Sequence, residues 1–141
     1  MNYFIYFISS LVVFGCSETP NTAPVYEEDP TTVTFIVDMS NQVQSGSFNS
    51  NSQELYLAGS FDNWQGMSLE LIEDYRYTIT LTTLQAGDEI QFKFRIDDSN
   101  WEAPNPDVCD CVDDGYGSQN RFYTVLQGEN LLEYWFSDDG E

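Results

Sequence analysis

The sequence predicts an all-β fold, an antiparallel β-sandwich. Apolar and polar residues alternate over several short segments, turn-forming residues separate these segments, and no window shows a convincing helical period. Alternation with a period of two is typical of strands that bury one face and expose the other. About six to eight such strands, joined by turns, favour two sheets packed around one core.

Three segments show the alternation most clearly, and the inward side of each is apolar. These inward positions are Val33, Phe35, Val37 and Met39; Tyr75, Tyr77, Ile79 and Leu81; and Ile90, Phe92, Phe94 and Ile96. Residues 55–58 form another apolar run, and residues 121–125 and 131–136 supply two closing strands. On the third segment the alternation places Lys93 and Arg95 on the outer face of the strand.

The length and charge of the chain restrict its partners. Its 141 residues are enough for one domain with a buried core. The chain carries 24 acidic and 4 basic residues, a formal net charge of −20. Such a chain repels phosphate backbones and anionic lipid surfaces, which argues strongly against nucleic acid as a partner. Neutral ligands, cations and basic proteins remain compatible with this charge.

Residues 1–15 are predicted to be a lipoprotein signal peptide. Residues 3–14 are almost wholly apolar and too short to span a bilayer comfortably. They lead into Gly15 and Cys16, which resemble the cleavage site of bacterial lipoproteins, although no Lys or Arg precedes the apolar run. The alternatives are an ordinary signal peptide or a membrane anchor. Lipid on Cys16 would tether the chain without a spanning helix.

Residues 16–32 are predicted to be a flexible tether, followed by a sandwich domain at residues 33–138. The tether is rich in Pro, Thr, Asn and acidic residues and has no periodicity. With lipid on Cys16 it would space the domain from the membrane. The expected location is the bacterial cell envelope, at the outer membrane, on its periplasmic side or at the cell surface.

The most informative stretch is GSFDNW at residues 59–64, because it places Trp64 in a loop expected to face water. Burial of a Trp ring is worth a few kcal/mol, so a ring at a loop tip usually has a partner. Downstream lie a second ring, Trp101, and two hydrogen-bonding side chains, Lys93 and Asn120. Aromatic rings that stack on the apolar faces of sugars, together with groups that bond hydroxyls, predict a site for a neutral sugar chain.

Three runs in this order resemble carbohydrate-binding module family 48 and its relative family 20, the glycogen- and starch-binding domains. The runs are GSFDNW at residues 59–64, QFKFRID at residues 91–97 leading to Trp101, and NRF at residues 120–122. The best-known member of the family is the glycogen-binding domain of the AMP-activated protein kinase β subunit. The resemblance covers residues 33–136 and implies an immunoglobulin-like sandwich of the early-set type.

The resemblance implies a carbohydrate site built from six side chains, which are Trp64, Lys93, Trp101, Tyr116, Ser118 and Asn120. The two indoles would form a flat, coplanar stacking platform for glucosyl rings. The lysine and the amide would donate hydrogen bonds to sugar hydroxyls. The tyrosine and serine stand where the family has an aliphatic residue that presses on the sugar and a hydroxyl that bonds it. A tyrosine there could add stacking or crowd the site.

Residues 104–117 depart most from the family, because this segment is longer and contains two of the three cysteines. If Cys16 carries lipid, Cys109 and Cys111 are the pair left in an oxidising compartment. A disulfide or two free thiols are favoured there over a bound metal. Calcium is the weaker alternative, supported only by the carboxylates of Asp107, Asp110, Asp113 and Asp114. The chain has no His, which argues against zinc.

These observations favour a non-catalytic lipoprotein that captures an α-glucan, a neutral starch- or glycogen-like polysaccharide or oligosaccharide. The alternative is a structural or interaction subunit that uses the same sandwich as a scaffold for envelope proteins. An enzyme is not expected, because the chain lacks His, a nucleophile motif and a phosphate loop. Acidic pairs such as Asp97 and Asp98 are weak evidence for a glycosidase, since adjacent strand residues face opposite ways. No cofactor is predicted, and membrane contact is expected through the lipid anchor only.

Overall fold

The computed structural model describes residues 29–138, which form two β-sheets packed against each other. The predicted signal peptide, Cys16 and the tether up to residue 28 lie outside the described residues. The first strand begins one residue before the predicted domain, at Thr32. Two short helices are also present, α1 (Ser40–Ser45) and a 3₁₀ helix (Phe136–Asp138).

The smaller sheet has four strands, in the order β10–β1–β5–β4. They are β1 (Thr32–Asp38), β4 (Glu70–Glu73), β5 (Arg76–Leu81) and β10 (Glu129–Trp135). Strands β1 and β10 run parallel, and the other pairs in this sheet are antiparallel. In the chain β10 follows a strand of the other sheet, so no hairpin constrains it to run antiparallel to β1.

The larger sheet has six strands, in the order β3–β2–β6–β9–β8, with β7 also paired to β6. They are β2 (Leu55–Gly59), β3 (Met67–Ser68), β6 (Glu89–Ile96), β7 (Asn100–Trp101), β8 (Cys111–Asp113) and β9 (Gln119–Thr124). The strand pairs of this sheet are antiparallel. The all-β sandwich is therefore confirmed, with one parallel pair in the smaller sheet. Its immunoglobulin-like type stays a prediction.

The core between the sheets confirms most of the predicted inward positions. The four inward residues predicted in the segment 33–39 and the four predicted in the segment 90–96 are each at most 2% exposed. The ring of Phe35 meets that of Phe92 edge-on, with 5.0 Å between their centroids, so these two residues join the sheets at the centre.

Tyr75 is the exception, because it lies outside β5 and is 44% exposed. It forms the β4–β5 hairpin turn with Asp74, and both residues have positive φ, 65° and 43°. Two such residues make the turn that matches the twist of paired strands. The predicted inward position was wrong here because the alternation of the sequence continues past the end of the strand into the turn.

Helix α1 was not predicted either. Six residues are too few to establish a helical period in the sequence. The helix ends at Gly46, whose φ of 75° lies in the left-handed region that glycine adopts at little energetic expense.

Candidate functional site

The predicted site residues meet at one open cavity of about 480 Å³ beside the outer face of β6. The cavity is lined by Trp64, Gln91, Lys93, Trp101, Asp114, Tyr116 and Asn120. Five of the six predicted carbohydrate-site residues are among these, and the sixth, Ser118, bonds to Lys93. The lining comes from the loop after β2, from β6 and β7, and from the β8–β9 hairpin. Segments far apart in sequence thus converge on one place.

The loop that carries Trp64 is shaped by one carboxylate. Asp62 accepts hydrogen bonds from the backbone N–H groups of Gly59, Trp64 and Gly66, at 2.9, 3.0 and 2.7 Å. Asn63 and Trp64 both have positive φ, 55° and 62°, which this network holds in place. A Cβ atom on Gly59 would lie 2.5 Å from a backbone oxygen of β6, so the loop requires glycine there. The run GSFDNW therefore specifies the loop conformation.

The two indoles meet at an angle. The ring centroids of Trp64 and Trp101 are 6.1 Å apart and their planes are inclined by 65°. Trp101 is 37% exposed, and Trp64 is half-buried. The expectation of a flat, coplanar platform was wrong, because an edge-to-face contact suits the ring quadrupoles better than a shared plane. The rings form one angled wall of the cavity.

Lys93 points away from the core, as the alternation predicted, but it is covered. Its side chain is 8% exposed, and Nζ donates to Asp114 Oδ2 at 2.9 Å and to Ser118 Oγ at 3.1 Å. The side chain is covered because the β8–β9 hairpin folds over this lysine. An ammonium group has three donors, and these two bonds use two of them.

Asp114 holds the tip of the β8–β9 hairpin together. Its Oδ1 accepts from the backbone N–H groups of Tyr116 and Ser118, at 2.8 and 3.0 Å. The hydrogen bond from Lys93, followed by these two backbone bonds, lowers the pKa of Asp114 to about 2. The carboxylate is therefore charged at neutral pH, and it neutralises the lysine at the cavity wall.

Tyr116 projects from this hairpin with 96% of its surface exposed. It stands between Gly115 and Gly117, whose φ values of 79° and 90° turn the chain sharply on both sides. A nearly free aromatic ring at the mouth of a cavity is positioned to contact a ligand there.

Asn120 lies on β9 and is 8% exposed. Its Nδ2 donates to Gln91 Oε1 at 3.1 Å, which uses one of the two amide donors. Sequence reasoning missed Gln91, although the signal was present: it alternates with Lys93 on the outer face of β6. Sequence reasoning also assigned no site role to Arg95, which lies one step further along that face.

Cys109 and Cys111 form a disulfide at the start of β8, with their Cα atoms 5.3 Å apart. The four carboxylates of the calcium alternative do not gather around one point. Asp113 accepts from the backbone N–H of Gly115, while Asp114 bonds to Lys93. Between residues 29 and 138, no group of three or more His, Cys, Asp or Glu side chains is arranged to hold a metal. The geometry gives the calcium alternative no support.

Comparison of the chain with protein-family models found no match, and a search of curated proteins also found none. The resemblance to module family 48 therefore stays a prediction based on the three sequence runs. In the part of the chain that the structure describes, none of the helices has the length and apolar character needed to cross a membrane.

Proposed function

We propose that this chain is a non-catalytic module that binds a neutral glycan, an α-glucan of the starch or glycogen type, in the cavity beside β6. The convergence of Trp64, Trp101, Lys93 and Asn120 on this cavity carries the proposal. The cavity volume of about 480 Å³ lies within the range of small-ligand sites.

The chemistry of the cavity suits uncharged sugar rings. Glucosyl units present apolar C–H faces that stack on indoles, and hydroxyl edges that bond to amides and ammonium groups. The Lys93–Asp114 salt bridge supplies donors and acceptors without a net charge, since it joins one basic and one acidic group. The formal net charge of −20 disfavours anionic ligands further.

We also propose that lipid on Cys16 tethers the module to the bacterial envelope, at the outer membrane. One module would bind weakly, because a few stacked rings must offset the ordering of a flexible polymer. Many tethered copies on one membrane would bind a long glucan with avidity. Metabolic labelling with a palmitate analogue tests the anchor: the parent chain incorporates label, and the Cys16→Ser variant does not. A label on both chains, or on neither, would refute lipidation at Cys16.

Calorimetric titration of the full chain with maltoheptaose, and native gels containing glycogen, test glucan binding. We expect saturable binding that Trp64→Ala reduces at least tenfold, since an alanine removes the stacking surface. Leu126→Ala is the matched control, because Leu126 is 62% exposed and does not line this cavity. It should bind like the parent. No binding by the parent, or equal binding by Trp64→Ala, would end the proposal.

Two further assays separate the competing functions. An interaction subunit would pull down an envelope protein, and free maltoheptaose would not displace that protein. A glucan binder would instead release whatever it pulled down when free maltoheptaose is added. A glycosidase would release reducing ends from starch, and we expect none above background.

A further inference from the structure

The ring of Trp101 on β7 and the loop that carries Trp64 meet on one guanidinium group, that of Arg95. This side chain projects from β6 and is 9% exposed. Its Cζ lies 4.9 Å from the ring centroid of Trp101 on one side and 5.2 Å from that of Tyr56 on another. A guanidinium is planar and weakly hydrated, so it stacks on aromatic rings where an ammonium group would stay in water.

The same guanidinium contacts the loop of Trp64. Arg95 Nη2 donates to the backbone oxygen of Gln65 at 3.1 Å. A Cβ atom on Gly66 would lie 2.7 Å from Nη2 and 3.3 Å from Cζ, so the loop backbone packs directly on the arginine. Gly66 is also the residue whose N–H bonds to Asp62 and closes the turn around Trp64. The arginine therefore contacts both the ring of Trp101 and the loop that carries Trp64.

We propose that Arg95 is the positioning residue that holds Trp64 and Trp101 at their mutual angle. Its stacked face fixes Trp101, and its hydrogen-bonding edge fixes the loop of Trp64. The consequence for ligand affinity rests on the proposed glucan binding, whereas the ring geometry does not. Ordering two large rings before the ligand arrives lowers the entropic loss on binding.

Arg95→Met tests this role, and Arg76→Met is its matched control. Both substitutions remove one positive charge, but Arg76 lies on β5 of the other sheet, where it pairs with Glu133. Near-ultraviolet circular dichroism reports the ring geometry. Two indoles with centroids 6.1 Å apart couple electronically and so contribute a dichroism signal that depends on their mutual angle. The part of the spectrum that Trp101→Phe removes identifies this signal.

We expect Arg95→Met to lose this signal and to bind maltoheptaose about tenfold more weakly, the effect of disordering two rings. Arg76→Met should retain both properties. An Arg95→Met chain that keeps the dichroism signal would overturn the proposal, whatever its affinity. If Arg95→Met does not fold, Arg95→Lys serves instead, since it keeps the charge but not the planar fork; retention of the signal by Arg95→Lys would also overturn it.

The dichroism measurement separates this proposal from glucan binding. If the parent chain binds no glucan, the proposed function fails, while loss of the signal in Arg95→Met still supports the positioning role. If the parent binds and Arg95→Met keeps its signal, the positioning role fails alone.

Discussion

Two covered ion pairs occupy different parts of this sandwich. Arg121 and Glu102 lie between the sheets with their side chains 2% and 0% exposed, whereas Lys93 and Asp114 lie outside β6 with side chains 8% and 13% exposed. The inner pair is a forked contact, with Nε and Nη2 of Arg121 bonded to the two carboxylate oxygens at 3.0 and 2.9 Å. The outer pair borders the cavity beside β6.

The inner pair connects structural elements. Glu102 also accepts from the backbone N–H of Phe94 and of Ser137, and Arg121 contacts Asp138 at 2.7 Å. These bonds fasten the C-terminal 3₁₀ helix to the larger sheet. The guanidinium lies 4.5 Å from the ring centroid of Tyr134. Burial raises the pKa of Tyr134 to about 12, so this phenol stays protonated at neutral pH.

The outer pair connects a loop to a cavity instead. Its carboxylate holds the tip that carries Tyr116, and its ammonium group faces the cavity with one donor beyond the two bonds described. The comparison shows that a basic side chain paired with a carboxylate has different surroundings in the core and at the surface. The sealed pair connects elements of the fold, while the pair at the cavity wall leaves polar groups there without a net charge.

The largest expected effect is a loss of stability when the buried pair of Arg121 and Glu102 is broken. Glu102→Gln leaves the charge of Arg121 with one fewer carboxylate, and breaking a buried pair reduces stability by about 3–5 kcal/mol. Urea denaturation measures this loss, with Glu133→Gln as the control at an exposed pair worth about 0–1 kcal/mol. Folded Glu102→Gln should keep its glucan affinity. A stability loss no larger than that of Glu133→Gln would contradict the prediction that the buried pair matters more for stability than an exposed pair.

A smaller effect, on binding, is expected from Lys93→Met. The methionine keeps much of the apolar stem but removes the donors to Asp114 and Ser118, and with them the third donor proposed to bond the glucan. A hydrogen bond from a charged group is worth about 1.5–3 kcal/mol, so glucan affinity should fall about tenfold or more. Calorimetric titration measures the affinity, and Arg76→Met again controls for lost charge. Unchanged affinity would show that the outer pair takes no part in binding.

The smallest effect is expected from pH near neutrality. The pKa of Asp114 falls from its usual 3.8 to about 2, so the stabilisation from its pair with Lys93 is complete above about pH 4. It is lost only as the pH drops from there toward 2. Under the proposed function, glucan affinity should therefore be constant between about pH 5 and 8 and decline only as the pH approaches about 2, where the folded chain protonates Asp114. A midpoint near neutral pH in a titration series would rule out Asp114 as the group that titrates.

Much of the fold could be predicted because it depends on local patterns. The alternation around Phe92 and Phe94 identified β6 and its two faces, and no distant residue was needed for that assignment. The same reasoning failed at Tyr75, where the pattern ran on into a turn. A periodic signal shows which side a residue would face within a strand, but it does not mark where the strand stops.

The sequence predicted which residues form the candidate site better than it predicted how those residues are arranged. The GSFDNW run and the second Trp identified the residues of the aromatic wall, but the 65° between the rings follows from packing on Arg95 and on each other. The pairing of Lys93 with Asp114 joins residues 21 positions apart through the fold of the β8–β9 hairpin. Composition gave no signal for it, because this chain has 24 acidic residues that could have filled the role.

By itself the sequence determined six of the ten strands described, most of their inward and outward faces, the acidic charge and the identity of the aromatic residues, since each is a property of neighbouring positions. The four shorter strands β3, β4, β7 and β8 were not predicted, because two to four residues are too few to show an alternation. Only the tertiary structure decided that Lys93 is covered and paired, that Arg121 forms its pair inside the core and that the two indoles meet at an angle. These features depend on contacts between segments that only folding brings together, and a single sequence holds no periodic record of such contacts.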